Sequence, residues 1–197
     1  YVRYFKYNKS IPLKHVTTYE VLVNFKRILD SISVDFYLGG GVLLGAYRNN
    51  DFAGRPKDVD LWIKNDHLTQ VFNNLELLRK NGFHVVKLKV NKGYVNIQSP
   101  MGSPITLKPC KKDADGYYRN NKLDEKEIVK LKNDIIISTI PRQKDWDNTY
   151  KGMKMGFSSN CRILLYKSFF LIPDNTEQIL EKTYGPNWKI PIVKKEV

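Results

Sequence analysis

Two stretches carry residue types that can do chemistry together: Gly39-Gly40-Gly41, within residues 37–48, and Asp58-Val59-Asp60, within residues 57–63. Side chains alternate along a strand, so Asp58 and Asp60 project to one side while Val59, Leu61 and Ile63 pack inward. Two carboxylates that close repel unless a cation lies between them. Such oxygen donors suit magnesium or manganese, with one or two carboxylates and substrate phosphates completing the shell. A strand that ends in three glycines and opens a helix lets backbone amides approach phosphate oxygens. Each feature alone is common: a lone Asp-x-Asp is most often a solvated sheet face, and a glycine cluster is most often a turn. Their order is more specific, because the paired carboxylates follow the glycine turn by about 18 residues on a second strand. Arg48 could hold a phosphate with its fork of donors or simply oppose a helix dipole. Lys57 could bind phosphate or be a strand-end charge.

The surrounding periodicity supplies the elements that must position these groups. Val21, Leu22, Phe25, Ile28, Leu29 and Ile32 recur at helical spacing, with Thr17 or Thr18 as cap and Glu20 completing a capping box. This predicts a helix over 18–32. A strand over 34–38, a short helix over 42–48, a turn over 49–56 and a strand over 57–64 follow. A helix is expected over 67–81, ended by Gly82, then strands over 83–90, 94–98 and 105–108 and a turn over 113–116. Residues 123–147 hold a polar segment and the apolar run 135–140. A last helix over 173–184 begins at Asp174 or Asn175 and stops at Gly185-Pro186. This order predicts an α+β domain, a mixed sheet flanked by helices; the glycine turn followed by the Asp pair on the next strand gives it the layout of a nucleotidyltransferase fold.

Composition removes other classes. The chain has 197 residues, 42% apolar and 12% aromatic, which suits one folded domain and excludes a disordered one. No apolar run approaches the roughly 18–20 residues of a membrane span, and no signal peptide is visible. The bare termini suggest a larger parent chain. Cys110 and Cys161 make no metal site by themselves and read as reduced thiols. The net charge of +13 implies an anionic partner. Residues 79–122 carry ten Lys/Arg against Asp113 and Asp115, a patch suited to an anionic membrane surface or phosphates. Lys108, Lys111, Lys112, Arg119 and Arg162 are phosphate candidates, each more simply read as a solvated surface charge. No nucleic-acid partner is expected, because no recognised motif accompanies the charge.

Residues 37–48, Asp51-Phe52 and Asp58-Val59-Asp60 resemble the LicD/fukutin family of phosphotransferases. Ile105-Thr106-Leu107-Lys108-Pro109 before the 113–117 turn resembles that family's middle strand. Ile172-Pro173, Glu177, Leu180-Glu181 and Tyr184-Gly185-Pro186-Asn187-Trp188-Lys189-Ile190-Pro191 resemble its closing element, expected here as packing. The match spans roughly residues 17–191, and Lys57-Asp58-Val59-Asp60 looks closer to the fukutin-like branch. The resemblance implies transfer of a phospho-alcohol (phosphocholine, ribitol phosphate or glycerol phosphate) from a CDP-linked donor to a hydroxyl of a cell-surface glycan. Asp58 and Asp60 would hold the metal, and Gly39, Gly40, Gly41, Arg48 and Lys57 the donor. A cytoplasmic, membrane-associated location is implied, or the Golgi lumen for a eukaryotic fukutin-type protein. Transfer of a nucleoside monophosphate, or a catalytically silent binding domain, are the alternatives. One departure stands out. Relatives carry a third Asp on the later strand, where one alignment gives Thr106 and another Asn96. A working two-carboxylate site, helped by Asp113 or Asp115 from the adjacent turn, is the expectation; substitution of the third acid by one of these two, a weak enzyme or a shifted alignment are the alternatives.

Overall fold

The computed structural model describes residues 13–90, 93–123, 136–138 and 152–191. Helix α1 (Leu13–Ser31) buries Thr18, Val21, Leu22, Phe25, Ile28 and Leu29 against the sheet. It starts before the expected capping box. Thr18 is inside the helix, its hydroxyl donating to the Lys14 carbonyl at 2.7 Å and meeting Ser103 Oγ at 3.0 Å. The chain then runs through β1 (Phe36–Leu38), α2 (Gly40–Asn49) and β2 (Val59–Lys64). The expected helix over 67–81 is two helices, α3 (Asn65–Asn73) and α4 (Leu75–Lys80), parted at Asn74, whose φ of −118° and ψ of 28° leave the helical region. Strands β3 (His84–Lys89), β4 (Tyr94–Gln98), β5 (Ile105–Lys112) and β6 (Tyr118–Asn120) follow. Strand β7 (Ile136–Ser138) falls in the apolar run; the rest of 124–151 lies outside the described residues. A hairpin, β8 (Arg162–Leu165) and β9 (Ser168–Leu171), precedes the last helix α5 (Thr176–Tyr184).

The described strands form one mixed sheet in the order β7-β3-β4-β5-β2-β1-β9-β8, with β6 beside β5. Its centre positions the chemistry. Strand β2 runs antiparallel to β1, with Leu38 opposite Leu61, and parallel to β5, with Asp60 opposite Thr106. Strand β5 is antiparallel to β4, with Thr106 opposite Asn96. Paired residues share a face, so Asp60, Thr106 and Asn96 form one row across three strands. Trp62 and Lys108 belong to the next row, and Val59, Leu61, Ile105 and Leu107 face the core, fully buried.

Helix α2 is held at both ends. A Cβ on Gly45 would overlap backbone atoms of Asp51, Phe52 and Ala53, so only glycine lets that loop close onto the helix. At the C-terminal end, Tyr47 packs on Trp188 with centroids 5.7 Å apart and donates to Glu177 Oε1 at 3.0 Å. Trp188 is buried, while Tyr184 and Ile190 of the same element are exposed. Among the described residues, no helix is long and apolar enough to cross a membrane, and both cysteines are free.

Candidate active site

The glycine turn lies directly over Asp60. The register of β1 on β2 brings Gly39 opposite Asp60, and the Gly39 amide donates to the Asp60 carbonyl at 3.0 Å. Gly40 has φ +51°, and a Cβ there would come to 2.5 Å from Asp60 Oδ2. The Asp60 carboxylate therefore fits against the start of α2 only because position 40 has no side chain. Gly41 is exposed, and a Cβ there would meet nothing within 4 Å. Gly39 is the N-cap and makes no side-chain cap bond. The first-turn amides of a helix have no intrahelical acceptors, and its dipole favours an anion there.

A cleft of about 200 Å³ opens at this point, lined by Gly41, Phe52, Arg55, Lys57, Asp58 and Asp60 among others. Thus four of the residues expected at the site, Gly41, Lys57, Asp58 and Asp60, share one cleft, while Gly39 and Gly40 do not line it but lie against Asp60. Arg55 joins them. Its place in the loop before β2 gave no signal in the sequence beyond its charge. Arg48 does not join. It is at the far end of α2, where its guanidinium reaches the Trp188 carbonyl at 3.5 Å. Arg48 is near the end of this ten-residue helix, away from the glycine turn, so it lies apart from the cleft lining and ties α2 to the closing element. A larger hollow of about 500 Å³, lined by Tyr47, Cys161, Asp174 and Glu177, opens elsewhere and contains neither the glycine turn nor the Asp pair. Size alone does not make it the site.

The electrostatics of the cleft differ from the sequence expectation in one respect. Lys108, read as a surface charge, is buried, and its Nζ pairs with Asp60 Oδ1 at 3.0 Å. It also lies over the Tyr94 ring, 5.4 Å from the centroid. Asp58 is one residue before β2 and exposed at the cleft mouth. Surrounding protein pushes its carboxyl above the ordinary range, and the neighbouring charge of Asp60 adds to this. The expected substitutes for a third carboxylate are placed elsewhere. Asp113 accepts from Arg119 Nε at 2.6 Å and from the amides of its own turn, and Asp115 pairs with Lys154 at 2.7 Å. Asp113 is seven residues beyond Thr106, about 23 Å along an extended strand. The position facing Asp60 is filled by Thr106, and beyond it Asn96 has a buried Oδ1 with no hydrogen-bond partner among the described residues. No group of three or more His, Cys, Asp or Glu that could hold a metal occurs among the described residues. The donors present suit one magnesium ion on Asp58 and Asp60, with substrate phosphates completing its shell.

The raised Asp58 carboxyl has a measurable consequence. Because its folded value exceeds its unfolded one, stability falls as pH rises through the interval between them. Asp58→Asn removes that cost. The metal-free variant is expected to melt slightly above wild type at neutral pH, with the gap closing as pH falls through the carboxylate range. Thermal denaturation across pH checks this, and a lower melting temperature for the variant at pH 7 contradicts it.

No curated protein sequence matches the chain. Among solved structures, ANT(2")-Ia in complex with adenylyl-2"-tobramycin aligns at 16% identity and a TM-score of 0.43, covering 55% of this chain and 58% of that one. The lincosamide antibiotic adenylyltransferase LnuA, lincomycin-bound, aligns at 12% identity and a TM-score of 0.46, covering 82% and 83%. The chain thus spans less than two thirds of the length of ANT(2")-Ia. A family profile described as LicD/FKTN/FKRP, nucleotidyltransferase domain, matches residues 33–143, which include the glycine turn, the Asp pair and β5. With more than half of its length in that match, the chain belongs to the LicD family of nucleotidyltransferase domains.

Proposed function

We propose that the protein transfers a phospho-alcohol from a CDP-linked donor to a hydroxyl of a cell-surface glycan, as a fukutin-like member of its family. The observation that carries this reading is the lock between Gly39 and Asp60, which sets the open N-terminus of α2 and the Asp pair in one cleft. In this reading the first-turn amides of α2 take a phosphate of the donor. Arg55 and Lys57 add positive charge at the cleft wall. Asp58 and Asp60 would hold one magnesium or manganese ion, which would neutralise charge on the donor diphosphate as CMP leaves. In this reading the acceptor hydroxyl attacks the donor phosphorus in line, CMP leaves, and a carboxylate of the site such as Asp58 takes the hydroxyl proton. The protein acts where its glycan is assembled, and the basic surface of residues 79–122 meets an anionic membrane or acceptor.

A second reading, a catalytically silent nucleotide- or glycan-binding domain, is favoured by one observation: the row beside Asp60 carries Thr106 and Asn96 in place of an acid. Thermal-shift titration separates the readings. A magnesium-dependent rise in melting temperature with CDP-ribitol, CDP-glycerol or CDP-choline is the expected result. A rise with nucleoside triphosphates alone points to nucleotidyl transfer. A rise without metal dependence, or none, favours the silent domain.

A further inference from the structure

The site face of the sheet contains a cation that the fold itself supplies. Lys108 lies on β5 between β2 and β4, and its side chain is only 5% exposed. A buried ammonium is tolerated when it is paired, and both partners here are fixed by the fold. Asp60 lies against the start of α2, where a Cβ on Gly40 would come to 2.5 Å from Oδ2. Tyr94 is held in β4, with its ring 5.4 Å from Nζ. Lys108 therefore has a defined place at Oδ1 of Asp60.

That place conflicts with a pair of divalent ions. Two-ion sites hold their metals about 3.5–4 Å apart and clamp both the attacking and leaving oxygens. A second ion needs oxygen ligands of its own. Among the described residues of this face, one oxygen of Asp60 is committed to an ammonium, the adjoining row offers a threonine and an asparagine, and Asp113 and Asp115 are engaged in and beside their own turn. A dication added at Oδ1 would meet the positive charge of Lys108 at contact distance, and like charges that close disfavour each other strongly. One ion shared between Asp58 and the remaining edge of Asp60 meets no such obstacle.

We propose that Lys108 is a resident counter-cation that takes the electrostatic place of a second divalent ion, so that the site admits a single divalent ion. This rests on the reading of Asp58 and Asp60 as the metal-binding pair. Lys108 acts through Asp60 and is a positioning residue: it keeps that carboxylate aimed while the substrate phosphates come and go.

The test counts bound Mn²⁺ by the loss of the free-ion electron paramagnetic resonance signal, with inorganic pyrophosphate as the phosphate probe. Wild type is expected to saturate at one Mn²⁺ per chain. Lys108→Met keeps length and apolar contact but removes the charge, and is expected to bind Mn²⁺ about tenfold or more tighter, because a neighbouring positive charge no longer competes for Asp60. Wild-type saturation at two Mn²⁺ overturns the proposal and needs no variant to fold. Lys108→Met affinity within twofold of wild type, with folding verified by circular dichroism, also overturns it. If Asp58→Asn abolishes Mn²⁺ binding in those cases, the Asp pair survives as a metal site and only the role of Lys108 fails. If wild type binds no Mn²⁺ with pyrophosphate present, both fail together.

Discussion

Asp60→Asn is expected to slow turnover of a CDP-linked donor by about two to four orders of magnitude, because it removes a charge aimed at the metal and the transferring phosphate. It is also expected to destabilise the fold. From the strand pattern alone the substitution looks neutral, since asparagine matches aspartate in shape and the face looks solvated. The ion pair at 3.0 Å changes that expectation, because the lysine partner is buried and would lose its counter-charge. Breaking a buried pair from one side costs about 3–5 kcal/mol. The Asp60 side chain is 23% exposed, so water reaches part of the site and screens the pair. A loss of about 2–3 kcal/mol is the fitting estimate. For a chain of this length that corresponds to a fall in Tm of roughly 5–10 °C. Adding Lys108→Met to Asp60→Asn removes the stranded charge and is expected to recover much of the stability and none of the activity. Thermal melts of the four proteins and donor turnover in saturating magnesium measure both effects. Near-normal turnover of Asp60→Asn ends the catalytic assignment, and an unchanged melting temperature ends the structural one.

The same residue shows what the sequence could and could not convey. The apolar period of α1, the strand–glycine–helix passage from β1 to α2 and the alternation around Asp60 are local signals, and each element lies within a few residues of its expected span. The burial of Lys108 is not local. In Ile105-Thr106-Leu107-Lys108 it alternates with core residues and reads as a solvated charge. It is enclosed because β5 is inserted between β2 and β4, strands separated from each other in sequence by two helices and β3. The position of the missing third acid was legible in a looser sense. The two alignments gave Thr106 and Asn96, and the register places these opposite one another in one row with Asp60. Both pointed to the same place in space. The β8–β9 hairpin was hidden for a chemical reason. Its turn uses Tyr166 at φ +52°, where glycine or asparagine is the usual signal. Tertiary bonds hold that conformation: the Tyr166 amide donates to Asn50 Oδ1 at 2.7 Å and its hydroxyl donates to Asp51. The contact of Arg48 with the Trp188 carbonyl was not legible, because a charge at a helix end carries no information about which neighbour it will meet.

The glycine turn allows a test in which stability and binding move in opposite directions. Gly41→Ala adds a methyl group at an exposed position in the first turn of α2, where nothing lies within 4 Å. Alanine is a better helix former than glycine by up to about 1 kcal/mol in a helix interior, less at the first turn. The variant is therefore expected to melt at or slightly above the wild-type temperature. The same methyl group projects into the cleft beside the first-turn amides. If a donor phosphate approaches those amides closely, affinity for a CDP-linked donor should fall by about tenfold or more, the equivalent of about 1.4 kcal/mol or one lost hydrogen bond. Gly40→Ala is the contrasting variant. There the left-handed backbone costs an L residue about 1–2 kcal/mol, and the methyl group would come to 2.5 Å from Asp60 Oδ2, pushing the carboxylate out of line with Lys108. It should lower both melting temperature and turnover. A damaged fold could mimic lost donor binding in Gly40→Ala, but not in Gly41→Ala, where stability is preserved. Unchanged donor affinity in a stable Gly41→Ala protein, measured by isothermal titration, would mean that the glycines serve only to seat α2 on Asp60 and that the phosphates bind elsewhere.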